Sequence, residues 1–166
     1  VGSRSEVGPG TWYFDYDNDR VFMGDDPTGR KVEVSASYSA IIAEGARDVV
    51  IRNLTIEKYA GPGQLGAIRG NDSVNWLVEY NTLRLNHGVG IVIGDGMIVR
   101  RNLVTRNGQM GVSGMGNNAL IEENEISFNN YASFDPGWEA SGVKIVDTSG
   151  VIAHRNYLHH NSSPGL

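Results

Sequence analysis

"GMIVRRNLVTRNGQ", residues 96–109, decides how the chain is read. "VNWLVEYNTLRLNHG" (74–88) and "NALIEENEISFNN" (118–130) align with it in one register, and "DVVIRNLTIEKYA" (48–60) and "GVIAHRNYLHHNS" (150–162) join them. Asn81, Asn102, Asn124 and Asn156 then form one column, with Leu54 in that place in the first segment. Five residues on, Asn86, Asn107, Asn129 and Asn161 form a second, preceded by Tyr59. Aliphatic columns flank them: Ile51, Val78, Val99, Ile121 and Ala153 before, Ile56, Leu83, Val104, Ile126 and Leu158 after. A 21- or 22-residue repeat with identical residues in register marks stacked units, none able to bury its own apolar face.

A shorter strand follows each second-column position: "GAIR" at 66, "GIVI" at 90, "GVSG" at 111 and "GVKI" at 142. Short strands separated by turn residues at this period fit one coil of a parallel β-helix, with coils ~4.8 Å apart. Stacked asparagines can then hydrogen-bond up and down their column and satisfy polar groups at a buried bend. The outward residues after the first aliphatic column read Arg52, Glu79, Arg100, Glu122 and His154, so charge alternates from coil to coil. A one-residue slip would destroy that order, and a sandwich of antiparallel hairpins would not predict it.

The bulk composition agrees. A chain of 166 residues can bury a real core, and 22 Gly with 15 Asn signal frequent turns. No window carries a helical apolar stripe, and no apolar run approaches the roughly 18 residues of a membrane-spanning helix. A net charge of −5 argues against nucleic-acid binding, and against a polyanionic ligand unless positive charge is gathered locally. With no cysteine there is neither a disulfide framework nor a thiolate metal site. The first residue is Val1 and the last segment is "NSSPGL", so the sequence reads as an excised piece of a longer protein.

The front end differs. "TWYFDYDNDRVFMGD" (11–25) alternates around an Asp17-Asn18-Asp19 turn and predicts a β-hairpin. Residues 1–35 are therefore expected to form an extension and capping hairpin, and residues 36–166 the coils. The "DYDND" turn is the one place where calcium would be sought, but it lacks the glycine and distal glutamate of an EF-hand. No metal or cofactor is expected.

"GTWYFDYDNDRVFMGDDPTGRKVEVS", "VVIRNLTIEKYA", "LNHGVGI", "RNGQMGV" and "NNYASFDPGWEASGVK" together resemble right-handed parallel β-helix repeat proteins of the pectate-lyase-like superfamily, from about residue 10 onward. The resemblance implies an all-β, right-handed helix of three sheets, here about five coils. It also implies a carbohydrate-active protein, extracellular or on the cell surface, with polysaccharide as partner. It supplies no reaction. No counterpart of the pectate lyases' calcium-binding aspartates is present, and no lyase catalytic arginine maps onto this chain.

The fourth segment takes in ten extra residues within "NNYASFDPGWEASGVK" (129–144), between its second asparagine and its short strand. The other segments carry "YAGPGQL", "HGV" and "GQM" at that corner, so these loops should form one wall beside the short-strand sheet. Lys144 is expected to point outward in a column with Ile68, Val92 and Ser113, as the single cation of that face. The candidate catalytic residues are Lys144, Glu139, Asp135 and His87, and the candidate sugar-binding residues Trp138, Gln109, Tyr59 and Gln64. Carboxylates with a cation can perform acid–base chemistry, while an indole plane and amides grip a sugar. The blander alternatives are Trp138 as a buried loop anchor, Asp135 as a turn starter, and Glu139–Lys144 as an ion pair tying the loop down. The functions that follow are a polysaccharide lyase, hydrolase or epimerase, a non-catalytic carbohydrate binder, or a structural spacer. End-to-end pairing through the 151–166 coil is a further expectation, since its backbone edge would be unpaired.

Overall fold

The computed structural model describes residues 1–163, and the chain divides into two units at Val34 and Ser35. In the first, Trp12–Asp15 and Arg20–Met23 pair antiparallel, with Trp12 opposite Met23 and Asp15 opposite Arg20. The expected hairpin is present. Its turn is closed by the Asp15 carboxylate, which accepts hydrogen bonds from the Asn18 N–H at 3.3 Å and from Asn18 Nδ2 at 2.9 Å. Tyr13 stacks on Phe22 across the strands, and the Arg4 guanidinium lies over Phe22.

The second unit is a parallel β-helix of about four turns, with three five-stranded sheets and no α-helix among the described residues. The first sheet holds Val50–Arg52, Leu77–Glu79, Ile98–Arg100, Leu120–Glu122 and Ile152–His154. The second holds Thr55–Glu57, Thr82–Arg84, Leu103–Thr105, Glu125–Ser127 and Tyr157–His159. In both, the register is the one read from the repeat: Ile51, Val78, Val99, Ile121 and Ala153 are successive partners, as are Ile56, Leu83, Val104, Ile126 and Leu158. Val78, Leu83, Val99, Val104, Ile121 and Ile126 are fully enclosed. Burying each contributes about 1.5–3 kcal/mol. The residues of the alternating column meet as expected: Arg100 Nε lies 2.9 Å from the Glu79 carboxylate, and the His154 ring Nε2 3.1 Å from that of Glu122.

The asparagine columns hold the bends. Asn102 Oδ1 accepts from the Asn81 N–H (2.9 Å) and from Asn81 Nδ2 (3.1 Å). Asn102 Nδ2 in turn donates to the Val78 carbonyl and to Asn124 Oδ1, so every polar site on the amide is used. Asn86, Asn107, Asn129 and Asn161 repeat this pattern at the second bend.

The residue before each ladder position is left-handed. Asn53, Tyr80, Arg101, Glu123 and Arg155 at one bend, and Lys58, Leu85, Arg106, Phe128 and His160 at the other, all have φ between 51° and 65°. These are mostly not turn residues. A non-glycine residue in this region costs about 1–2 kcal/mol, which the adjacent ladder bonds offset. The side chains emerge at the surface, where Arg101 donates to Glu123 at 2.6 Å and to the Tyr80 hydroxyl at 2.7 Å. That guanidinium holds the Glu123 carboxyl below the usual carboxylate range.

The third sheet holds Ile41–Ile42, Gly66–Arg69, Val89–Ile93, Val112–Gly114 and Val143–Ile145. Here the sequence reading was one residue out. Gly66 pairs with Val89 and Ile68 with Ile91, so Ile68 is buried and Arg69 takes the place beside Val92. The outward column is Arg69, Val92, Ser113 and Lys144, and the face carries two cations rather than one. A one-residue shift exchanges the two faces of a strand, and the misread register would have turned the Arg69 guanidinium into the apolar core.

Insertions also enter at more than one corner. Tyr59 and Asn86 are 27 residues apart, but Gly66 and Val89 only 23, so part of the first coil's extra length lies beyond the 59–66 corner. The fourth coil does expand where expected. Val112 follows Asn107 by five residues, whereas its partner Val143 follows Asn129 by fourteen.

Candidate functional site

The outward column of the third sheet forms the floor of an open groove of about 380 Å³, at the small end of ligand clefts. Arg69, Val92, Ser113 and Lys144 lie along it, with Gln64 and Leu65 from the first coil's corner and Met115 and Val146 among the other lining residues. Glu139 enters from the 130–141 loop, and Asn71 from the turn after Arg69.

Local hydrogen bonds shape the loop. The Asn130 amide clamps Phe134, with Nδ2 donating to its carbonyl at 2.9 Å and Oδ1 accepting its N–H at 2.8 Å. Asp135 Oδ1 accepts the Gly137 N–H at 2.8 Å, and the Asp135 carbonyl accepts the N–H groups of Trp138 and Glu139. Asp135 is therefore a turn starter, and it lies outside the groove lining. The turn delivers Glu139 to Lys144, whose Nζ is 2.7 Å from Glu139 Oε1 and 3.0 Å from the Trp138 carbonyl. The Glu139 side chain is 16% exposed and that of Lys144 36%.

The remaining candidates divide. Gln64 lines the groove, while Gln109 sits fully buried behind it. Gln109 Oε1 accepts the Gln64 N–H, bracing that corner across two coils, and its Nε2 has no partner among the described residues. His87 Nδ1 lies 3.0 Å from the Gly61 carbonyl, with its ring edge against Phe134 at 5.6 Å, so it supports the loops. Tyr59 packs against the core, and its N–H and C=O serve Asn86 and His87. Trp138, the aromatic sugar-binding candidate, is 51% exposed rather than a buried anchor, with its ring edge near Gly63.

Two residues missed in the sequence complete the site, Arg69 and Asn71. Arg69 is half-buried and makes no ion pair among the described residues. The cost of an inward guanidinium was the signal that could have placed it. No group of three or more His, Asp or Glu side chains among the described residues could hold a metal ion.

No curated protein and no solved structure matches the sequence. A family model described as the right-handed beta helix region matches residues 66–166, which carry most of the groove's lining residues. The fold is common among carbohydrate-active proteins, and with more than half its length matched the chain belongs to the right-handed β-helix family.

Proposed function

We propose that the groove on the third sheet binds an acidic polysaccharide, with Arg69 gripping a sugar carboxylate. The observation that carries this reading is an outward, half-buried guanidinium with no carboxylate partner among the described residues, on the floor of a groove. Guanidinium matches carboxylate geometry with paired hydrogen bonds. Asn71 and Gln64 supply amides for hydroxyl groups, and Val92, Met115 and Val146 supply apolar surface for the sugar ring. The Arg69 charge, which no carboxylate among the described residues pairs, also answers the objection from the net charge of −5.

Binding fits the geometry better than turnover. Glu139 is the carboxylate lining the groove, and it is engaged by Lys144. Asp135 is committed to its own turn and His87 to the Gly61 carbonyl. A polysaccharide ligand suits a protein that is secreted or displayed on the cell surface.

Titration with polygalacturonate oligomers at low salt should show saturable binding, and their neutral methyl esters should bind far less. Arg69→Ala should weaken the acidic ligand about tenfold or more, the loss expected for a charge-assisted hydrogen bond. Equal affinity in Arg69→Ala, with its melting temperature unchanged, would sink this reading. The same samples, followed for unsaturated-product absorbance and new reducing ends, report elimination or hydrolysis. Neither signal is expected.

A further inference from the structure

Resting on that reading, we propose that Lys144 is a second carboxylate subsite of the same groove, and that Glu139 occupies it as a built-in stand-in for the ligand. Arg69 and Lys144 share one outward column, with Val92 and Ser113 between them. Three coil steps separate them, roughly 14 Å along the axis. Both line the groove, but among the described residues only Lys144 is engaged by a carboxylate.

The contact that engages it has the form of a bound anion. One carboxylate oxygen lies 2.7 Å from the ammonium, and the Trp138 carbonyl takes a second donor at 3.0 Å. An ammonium has three donors, so one is left over. The carboxylate comes from an insertion: the adjoining coil turns the same corner with five residues instead of fourteen and places no acid on the face. Glu139 is drawn over the groove instead of into water, with a side chain only 16% exposed. Part-exposed ion pairs hold weakly and are screened by salt. A polymer already held at Arg69 presents its next carboxylates at high local concentration, so it can compete with Glu139 for Lys144.

The sign of the expected effect is the reverse of that for a ligand-binding glutamate. Glu139→Gln removes the competitor and a repelling charge while keeping the side chain's shape. It should bind polygalacturonate oligomers about fivefold tighter than wild type at low salt. Lys144→Gln alone should bind more weakly than wild type, because it removes the cation and leaves the Glu139 carboxylate unpaired in the groove, and added to Glu139→Gln it should erase the gain. Thermal melts establish that each variant is folded, and Glu139→Ala serves as a second variant if the glutamine form melts early.

Equal or weaker binding by both folded Glu139 variants overturns the masked subsite. If wild type still binds through Arg69 in that case, the groove assignment stands and only this inference falls. If neither wild type nor the Glu139 variants bind, both fall. Binding that emerges only when Glu139 is replaced upholds the masked subsite.

Discussion

Asn102→Ala should cost about 3–5 kcal/mol, because several buried groups lose their partners together. The Asn81 N–H and one Asn81 Nδ2 hydrogen lose Asn102 Oδ1, and the Val78 carbonyl loses Asn102 Nδ2. Water cannot replace these bonds at a position where both asparagines are only 2% exposed. Each orphaned buried group costs about 1–3 kcal/mol, and the truncated site also leaves a small cavity. Arg101, held left-handed with φ at 53°, loses the support of the bend beside it. The melting temperature should fall by on the order of 10 °C, against almost no change for Asn71→Ala on the surface. An unchanged melt would show that the ladder is not what holds the bend.

Gly108→Ala should be comparably damaging for a steric reason. A β-carbon on Gly108 would overlap the backbone carbonyl of His87 on the coil beneath. That carbonyl cannot easily retreat. The His87 N–H donates to the Tyr59 carbonyl at 2.9 Å, and its ring is tethered to Gly61 at 3.0 Å. The two coils must separate locally, weakening the Gly108 N–H bond to the Asn86 carbonyl at 2.6 Å. Overpacking of this kind costs about 1–3 kcal/mol in a side-chain core, and a collision with fixed backbone belongs at or above the top of that range. Gly8→Ala, where no atom lies within 4 Å of the added carbon, is the matched control. Denaturant midpoints measured for both should differ widely, and equal midpoints would contradict the close stacking.

The first two sheets were legible because their strands flank the asparagine columns, which fix the register by identity. The third sheet was not, because it follows corners of differing length and carries no such marker. Aligning Gly66 with Gly90 looked natural, yet Gly66 belongs with Val89, and the error hid Arg69. The left-handed corners were equally hidden, since Tyr80, Arg101, Glu123 and Arg155 share a backbone conformation and nothing chemical. In the loop, the Glu139–Lys144 pair could be read from adjacency and charge. The exposure of Trp138 could not, because it depends on what the first coil's corner places beside it.

The uniform stacking also governs how this chain can fold. Strand partners lie one coil away, and successive ladder asparagines are 21, 22 and 32 residues apart. Each closure is therefore a short search of nearly the same difficulty, and each completed coil offers the next a ready edge. The entropy of closing a loop grows only with the logarithm of its length, so stretching one closure from 22 to 32 residues costs about 0.3 kcal/mol. A binding loop can be lengthened at that corner at almost no expense to assembly, and the rungs on either side neither shift nor slow.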